Sequence, residues 1–370
     1  MHIAIVGCGQ LSRMLALAGI PLGIKFSFIN DDDHQDTACV DGLGTVVALD
    51  ENWRNDSSLE PLYQALGKLD CITIEKEQVD SELLVALQAH VKIYPNIEAI
   101  KACQHRLAEK KLLENLSIAT APYLHNVSAQ LAMQKLNLPM VVKSCREGYD
   151  GKNQWQLKTT KDVEDFDLLL RESANNNPAL EDYIVEAWVP FEKEVSLISV
   201  RSVNGEIAHY PLTENTHESG ILKSSIAPAR QLTDRQTQLA QAYMEKLLTS
   251  LDYVGVLAME CFIKGDELVV NELAPRVHNS GHWTQMGSVT CQFENHVRAL
   301  CGQVLGSTEL LGSAGMVNLI GTDKPPLEAL SKSSKLYWYN KSVRPMRKLG
   351  HINFLAANQE SLDRQMNELN

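Results

Sequence analysis

The sequence predicts an α/β protein with an open, largely parallel sheet at its N-terminal end, and three observations carry that expectation. Across residues 2–95, short apolar runs alternate with helical patterns, as strands joined by helices do. The first junction is a glycine-bearing turn, Gly7-Cys8-Gly9-Gln10-Leu11-Ser12, and the acidic cluster Asp31-Asp32-Asp33 ends the second strand. Farther along, the apolar, β-branched runs Val254–Ile263 and Leu268–Leu273 flank the polar turn Lys264-Gly265-Asp266-Glu267, which reads as a β-hairpin. At 370 residues the chain exceeds one ordinary core and divides into two or three domains.

Composition narrows the function classes. With 44% hydrophobic and 22% charged residues, the chain has the make-up of a soluble globular protein. A formal charge of −12 argues against broad nucleic-acid binding, which needs a basic face. The eight cysteines are scattered without a Cys-x-x-Cys pair, so neither structural zinc nor a disulfide framework is expected, and a reducing cytosol fits. Met1 leads almost directly into an apolar strand, with no charged segment before it. No apolar run approaches the roughly 20 residues that span a bilayer. The expectation is a cytoplasmic protein with neither a membrane nor a nucleic-acid partner.

In chain order, His2–Val6 reads as strand, Gln10–Ala18 as helix, Lys25–Ile29 as strand and Asp56–Leu66 as helix. Asp70–Ile74 follows as strand, Ser81–His90 as helix and Val91–Tyr94 as strand. The Gly7–Ser12 turn resembles a dinucleotide fingerprint, with Ser12 where the third glycine belongs. It either receives a phosphate through backbone N–H groups or is a structural turn. Glu75 and Glu77 follow a strand, where such sheets gather ligands, or else cap a helix N-terminus. Residues 96–125 read as a connector containing the basic helical stretch Gln104–Asn115, with Arg106 in it.

Pro139–Ser144 reads as a strand carrying Lys143, a residue that meets an anion if buried or water if the strand is an edge. Arg146–Asn153 is a glycine-bearing turn, a mobile lid over phosphates or an ordinary hairpin turn. Lys161–Ser173 reads as helix, Asp182–Val189 as a strand running into a crossing segment, and Lys193–Arg201 as strand. Thr213–Ala229, with His217, is expected as a long polar loop, and Thr233–Ser250 as helix. Beyond the hairpin, Gln292–Leu300 is helical, and Met316–Ile320, Lys335–Tyr339 and Ile352–Leu355 are strands. Lys341, Arg344, Arg347 and Lys348 form a basic cluster, either a phosphate seat or a solvated patch. The tail from Asn358 is a surface helix or frayed.

The hairpin holds the chemistry. Each strand carries one carboxylate, Glu260 and Glu272. A three-residue loop (Gly265, Asp266, Glu267) sets them opposite each other, with Cβ atoms roughly 4.5–5.5 Å apart, whereas an even-length loop puts them on opposite faces. Two carboxylates that close repel unless a divalent cation lies between them, and with Asn271 the oxygen set suits Mg²⁺ beside a nucleotide. The Pro- and Gly-rich segment 274–282 delivers Arg276 and His278 just past the pair, completing a plausible phosphoryl-transfer centre. Solvent-facing glutamates are the alternative. A zinc site on His278 and His282 is disfavoured, because Asn279-Ser280-Gly281 interrupts the helix their spacing needs.

The order Lys143, Gly148-Tyr-Asp-Gly151, Val185-Glu186, Glu194, Glu260 and Asn271-Glu272 resembles the ATP-grasp superfamily. Longer strings resemble one branch, the N5-carboxyaminoimidazole ribonucleotide synthases: Gly9-Gln-Leu-Ser-Arg-Met, Pro211-Leu-Thr, Ala258-Met-Glu-Cys-Phe and the run from Asn271 to Gln285. The resemblance spans about residues 2–355. It implies an ATP-grasp fold in three domains, namely a Rossmann-like domain (1–100), a middle domain with the lid (101–190) and a C-terminal domain with the metal site (191–370), usually as a homodimer. It implies carboxylation of 5-aminoimidazole ribonucleotide by bicarbonate with ATP and Mg²⁺, through carboxyphosphate. By the same resemblance, Arg106 and Lys143 contact ATP phosphates under Gly148, Tyr149, Asp150, Gly151 and Lys152. Glu186, Ala187, Trp188 and Val189 line the adenine pocket, Glu194 holds the ribose, and His217 and Asn271 meet the nucleotide. Glu260 and Glu272 bind Mg²⁺, and Arg276 and His278 position bicarbonate or carboxyphosphate. Tyr149, Asp150, Lys152 and Glu75 contact the aminoimidazole, and Lys341 with Arg347 or Lys348 its phosphate.

The chain departs from the family pattern at Lys152 and Asn153, where Arg-Gly is usual, at Ser12, and at Lys76 between two glutamates. Three other readings fit parts of the sequence. A nicotinamide-dependent dehydrogenase accounts for the first turn and the aspartates but leaves the hairpin carboxylates without a role. Another ATP-grasp ligase or formyltransferase, or a silent ATP-binding protein, shares the nucleotide site.

Overall fold

The computed structural model describes residues 1–31, 36–50, 52–54, 59–146, 153–173 and 177–368. The first unit contains β1 (His2–Val6), α1 (Gln10–Gly19), β2 (Lys25–Asn30), β3 (Thr45–Ala48), α2 (Glu60–Leu66), β4 (Cys71–Ile74) and α3 (Ser81–Gln88). Two helices, α4 (Ile97–Gln104) and α5 (Arg106–Asn115), lead to β5 (Tyr123–His125), α6 (Ala129–Leu136), β6 (Met140–Ser144), β7 (Gln154–Leu157), α7 (Thr160–Ser173) and β8 (Tyr183–Ala187). The last part runs β9 (Lys193–Arg201), β10 (Ile207–His209), β11 (Thr213–Glu218), β12 (Ile221–Ala227), α8 (Asp234–Ser250), β13 (Gly255–Lys264), β14 (Glu267–Ala274), α9 (Thr284–Gly287) and α10 (Gln292–Leu300). It ends with β15 (Ser313–Ile320), β16 (Ser334–Trp338), β17 (Lys348–Ala356) and α11 (Gln359–Asn367).

Three sheets result. The first, ordered β3-β2-β1-β4, is wholly parallel. Its two faces are both covered, which is why its strands are nearly continuous apolar runs. Ile3, Ile5, Phe26 and Phe28 pack on Met14 and Leu15 of α1, while Ala4, Val6, Ile29, Ile72 and Ile74 pack on Leu62, Leu66, Leu83, Leu84 and Leu87 of α2 and α3. The second sheet, β5-β8-β6-β7, is antiparallel. The third runs β14-β13-β9-β11-β12-β15-β17-β16, with β10 on β9. α10 sits between the first and third sheets: its His296 accepts from the Val256 amide (3.0 Å) and meets the Thr73 hydroxyl on β4 (3.0 Å). Burial keeps that imidazole neutral by pushing its pKa down to about 3.

The glycine-bearing first turn is occupied from within the chain. Glu75, one residue past β4, accepts from the Gly9 amide and, at 3.0 Å, from the Ser12 amide at the N-terminus of α1. A Cβ on Gly7 would lie 2.5 Å from Glu75 Cγ, and one on Gly9 2.6 Å from Glu75 Oε1. These glycines therefore admit a carboxylate of the same chain. Ser12 replaces the third glycine because its buried hydroxyl donates back to the Gly7 carbonyl (2.9 Å). Lys76, the other departure nearby, pairs with Asp31 at 2.9 Å.

Four expectations need correction. Val91–Tyr94 is not a strand: only Ile93 bridges to Ile72. β3, short and largely exposed, was not anticipated. The connector over 96–125 holds two helices rather than one, broken where His105 takes an extended conformation. Thr213–Ala229 is a hairpin, β11 and β12, not an open loop. The tail is the helix α11, capped by Asn358 and packed through Leu362 and Met366 on β15 and β17.

Gly7 combines a φ of +110° with the contact to Glu75, whereas Gly23 has a φ of +76° and open space around it. Gly7→Ala should lower unfolding stability by roughly 2–3 kcal/mol and Gly23→Ala by about 1 kcal/mol. Denaturant titration of both variants checks the difference, and equal losses would remove the Glu75 contact from the explanation.

Candidate active site

The hairpin does set Glu260 opposite Glu272, but by a different route from the expected three-residue loop. Lys264 pairs with Glu267, so the loop is the two residues Gly265 and Asp266, with Gly265 at φ +56°. That register alone would face Glu260 with Asn271. A bulge between Glu260 and Cys261 slips the pairing by one residue and brings Glu272 opposite. Asn271 is the extra residue, and its side chain is turned to the site by the bend a bulge imposes.

Around the carboxylates lies a ring of cations. Arg106, at the start of α5, reaches Glu272 Oε2 at 3.1 Å. Lys143 on β6 donates to Asn271 Oδ1 (3.0 Å) and pairs with Glu186 Oε2 (2.5 Å). Glu186, on β8, is buried and meets Lys110 Nζ on its other oxygen at 2.6 Å. Both lysines hold the Glu186 carboxyl far below the usual carboxylate range despite its burial. Burial lowers the Lys143 pKa, opposed by Glu186. Within the facing pair, burial and the neighbouring Glu272 push Glu260 up. For Glu272 burial acts the same way, but Arg106 and Lys143 hold it down. Two close carboxylates split in this manner because both cannot ionise without a partner cation.

His278 Nε2 lies 3.4 Å from Glu260 Oε1. Its Nδ1 contacts the Ser280 hydroxyl (2.8 Å) and accepts from the Ser280 amide (3.3 Å), so the ring hydrogen belongs on Nε2, facing the carboxylate. Ser280 is in turn held by Ser196 (2.7 Å), Ser196 by Asn215 (3.0 Å) and Asn215 by Ser225 (2.8 Å). Burial, with Arg276 and Lys348 nearby, keeps His278 neutral. Arg276 pairs with Glu77 of the first unit and donates to the Val277 carbonyl at 3.0 Å.

The remaining expected residues fall into two groups. Glu194 pairs with His217 (2.5 Å) across β9 and β11, beside a small cleft also lined by Phe262 and Asn271. Ala187 ends β8, and half-exposed Trp188 and Val189 follow it as the crossing segment. The amides of Ala187 and Trp188 donate to Pro122 (2.8 Å) and Pro139 (3.1 Å). On the far side, Lys341 reaches Gln10 at the start of α1 and lies over Tyr339, close enough to feel Glu75. Arg347 turns to the Ser342 carbonyl (2.9 Å) and Asp36 (3.8 Å), while the charge of Lys348 acts on Glu260 and His278. The neighbours Arg347 and Lys348 therefore act on different groups. Gly148, Tyr149, Asp150, Gly151 and Lys152 lie outside the described residues, as do Asp32 and Asp33.

Sequence reasoning missed Glu109 and Lys110, although they stand three and four residues after Arg106 on one helix face. Glu109 is buried and accepts from the Leu273 amide (2.9 Å), fastening α5 to β14. It also missed the stacked pair Phe191 and Phe262, whose ring centroids are 4.6 Å apart beside the cleft.

Comparison with known proteins matches residues 1–104 to a ribonucleotide synthetase preATP-grasp domain, 111–293 to an ATP-grasp domain and 314–365 to a phosphoribosylaminoimidazole carboxylase C-terminal domain. The N5-carboxyaminoimidazole ribonucleotide synthase of Vibrio cholerae serotype O1 is 40% identical over 377 residues, covering 100% of this chain and 94% of that protein. The crystal structure of the synthetase from Thermus thermophilus superposes with a TM-score of 0.88 at 38% identity, covering 99% of this chain and 97% of that one. A structure of the enzyme from Aspergillus clavatus, in complex with ADP and 5-aminoimidazole ribonucleotide, has a TM-score of 0.85 at 27% identity, covering 100% and 97%.

Two variants probe the buried charges. Lys110→Met leaves Glu186 with half its compensation and should cost roughly 3 kcal/mol, read by denaturant titration. An unchanged midpoint would show the pair to be dispensable. Glu109 has its carboxyl raised to about 7 by burial. A raised carboxyl favours the folded state below its unfolded value, and that advantage is lost as pH rises through the folded one. Glu109→Gln should therefore gain stability over the parent as pH climbs from about 4.5 to about 7, and a constant difference across that range would refute the assignment.

Proposed function

The chain belongs to the N5-carboxyaminoimidazole ribonucleotide synthase family, and we infer from that premise that it is the ATP-dependent ligase that carboxylates 5-aminoimidazole ribonucleotide in purine biosynthesis. One observation in this chain carries the reading: two carboxylates brought face to face by a bulge, with Arg106, Lys143 and His278 turned toward them. Such a site suits transfer of the γ-phosphoryl group of ATP, where positioning and charge stabilisation supply most of the catalysis.

The residues present fit Mg²⁺. Glu260 and Glu272, with the Asn271 oxygen beside them, are hard oxygen donors in a half-buried setting, and their mutual repulsion is what a divalent cation relieves. When bound, that ion would neutralise charge on the phosphates of the nucleotide. Arg106 and Lys143 would hold the phosphates, the crossing segment Glu186–Val189 the adenine and Glu194 the ribose. Bicarbonate oxygen would attack the γ-phosphorus, ADP would leave, and the carboxyphosphate formed would break into CO₂ and phosphate. Arg276 and the neutral His278, with its Nε2–H forward, would orient the anion. Lys348 belongs with this pair in our reading, because its charge is felt there. The exocyclic amine of the ribonucleotide would then take up CO₂ and release a proton, its phosphate held by Lys341 and Arg347. Carboxyphosphate is labile in water, so exclusion of solvent is part of the function of the β11–β12 hairpin.

Division into three domains at residues 1–100, 101–190 and 191–370 is part of the same proposal, supported by the separation of the three sheets. No helix among the described residues is long and apolar enough to cross a membrane. A cytoplasmic setting and a homodimeric state rest on the family resemblance.

The test is ADP release with Mg-ATP and bicarbonate, with and without the ribonucleotide. Turnover should require the ribonucleotide and fall when bicarbonate is stripped, and release indifferent to the ribonucleotide would point to another acceptor. Glu272→Gln should abolish turnover. Lys341→Ala should raise KM for the ribonucleotide about tenfold or more with kcat little changed, as loss of uniform binding does. Parent-like turnover in Glu272→Gln would overturn the role of the pair.

A further inference from the structure

A second cluster of ligand-type side chains lies behind the phosphate-facing residues, built from four separate segments. His105 Nε2 is 2.8 Å from Asp182 Oδ2, and His125 Nε2 is 2.8 Å from Asp182 Oδ1. The Cys145 thiol faces the same carboxylate, and the ligand atoms of His105, Cys145 and Asp182 all lie within 4.8 Å of one another. We propose that His105, His125, Cys145 and Asp182 form a site for a zinc-class divalent transition ion, distinct from the Glu260–Glu272 pair.

The donor set decides the class of ion. Two imidazoles, a thiol and one carboxylate are the borderline-soft ligands of Zn²⁺ and its first-row neighbours, whereas Mg²⁺ takes oxygen donors. Charge closes as well: a dication with one thiolate and one carboxylate is neutral, which suits a half-buried position. Binding displaces the proton from Cys145 to solvent. Each imidazole presents its Nε2 lone pair and carries its hydrogen on Nδ1, with no net proton change. Nothing among the described residues pins the His105 ring the other way, since its Nδ1 is buried without a hydrogen-bond partner. Tetrahedral Zn²⁺ spaces nitrogen and oxygen ligands roughly 3.4 Å apart, so His105 must withdraw from Asp182 by about half an ångström. His125, which meets the other Asp182 oxygen and lies outside the 4.8 Å group, must swing inward to become the fourth ligand. His125 and Asp182, whose side chains are 37% and 40% exposed, have room to move, and they give an ion its way in.

The backbone around the cluster is anchored independently of any ion. The Arg106 amide donates to the Cys145 carbonyl (2.9 Å), the Cys145 amide to the Asp182 carbonyl (2.8 Å) and the Asn126 amide to the Tyr183 carbonyl (3.0 Å). His125 lies on β5, which pairs with the β8 strand that Asp182 precedes. A site held open in this way pays little ordering entropy on binding. Its neighbours give it consequence: His105 adjoins Arg106, Cys145 follows the strand of Lys143, and Asp182 precedes the strand of Glu186. An ion there would tie together the three segments that carry the phosphate-facing charges.

The experiment uses the full chain, stripped with chelator, loaded with Zn²⁺ or Co²⁺ and passed through gel filtration. About one equivalent of Zn²⁺ should be retained per chain, and Co²⁺ should show a thiolate-to-metal charge-transfer band. Cys145→Ser should abolish that band, and Cys145→Ser and His125→Ala should each weaken Zn²⁺ binding at least tenfold, whereas Glu272→Gln should leave it unchanged. His125 sits on an edge strand, half-exposed, so its variant is the one expected to keep parent-like circular dichroism and melting. Failure to retain zinc, loss of it in Glu272→Gln, or parent-like affinity in folded His125→Ala and Cys145→Ser would each overturn the proposal.

Discussion

One buried carboxylate sets where four elements meet. Glu186 on β8 is gripped by Lys110 from α5 and Lys143 from β6, and both lysines also touch Asn271: Lys143 its side chain, Lys110 its carbonyl at 3.4 Å. Burying such charges costs several kcal/mol per ion before their attraction is counted, so the triad is poor evidence for stability. Its value is positional. A carboxylate between two ammoniums has one low-energy arrangement, and here that arrangement holds the middle sheet against the hairpin. Beside it, Arg106 pairs with Glu272, so the cationic side chains of α5 and β6 converge on the Asn271–Glu272 segment of β14.

The second constraint is the two-residue period of a strand. An even hairpin loop would have turned Glu260 and Glu272 to opposite faces, and the single inserted residue at Asn271 undoes that. Bulges commonly re-aim a side chain beside a functional site. Here one bulge does two things, since it aligns the glutamates and frees Asn271 from the regular pairing to meet Lys143.

The parts legible in sequence were those whose pattern is local. β1, β9 and α10 begin and end as periodicity indicates, because their burial follows from their own residues. β11 was not legible. The positions it buries most deeply are Thr213 and Asn215, polar residues satisfied by Trp283 and by the Ser196–Ser225 chain, so the usual apolar alternation is missing. β3 escaped because it is a short edge exposed on most of its length. Val91–Tyr94 misled in the opposite way: its apolar residues fill the core beside Ile72 without continuous pairing. The carboxylate pair was readable from spacing, but the bulge that makes the spacing work was not, because an inserted residue leaves no compositional mark. Glu109 and Lys110 needed the knowledge that α5 lies against β14. The His105–Asp182 cluster needed the whole middle sheet.

The occupied first turn has a further consequence. A helix N-terminus with glycines before it is an anion seat, and here the anion is tethered. A tethered ligand acts at an effective concentration set by chain geometry, so millimolar phosphate or free nucleotide in a cell competes poorly for the place. The N-terminal sheet thus has the turn of a nucleotide receptor with a carboxylate of its own chain in the phosphate's place. In the proposed reading the ribonucleotide's phosphate is held instead at the rim of that sheet, where Gln10 meets Lys341.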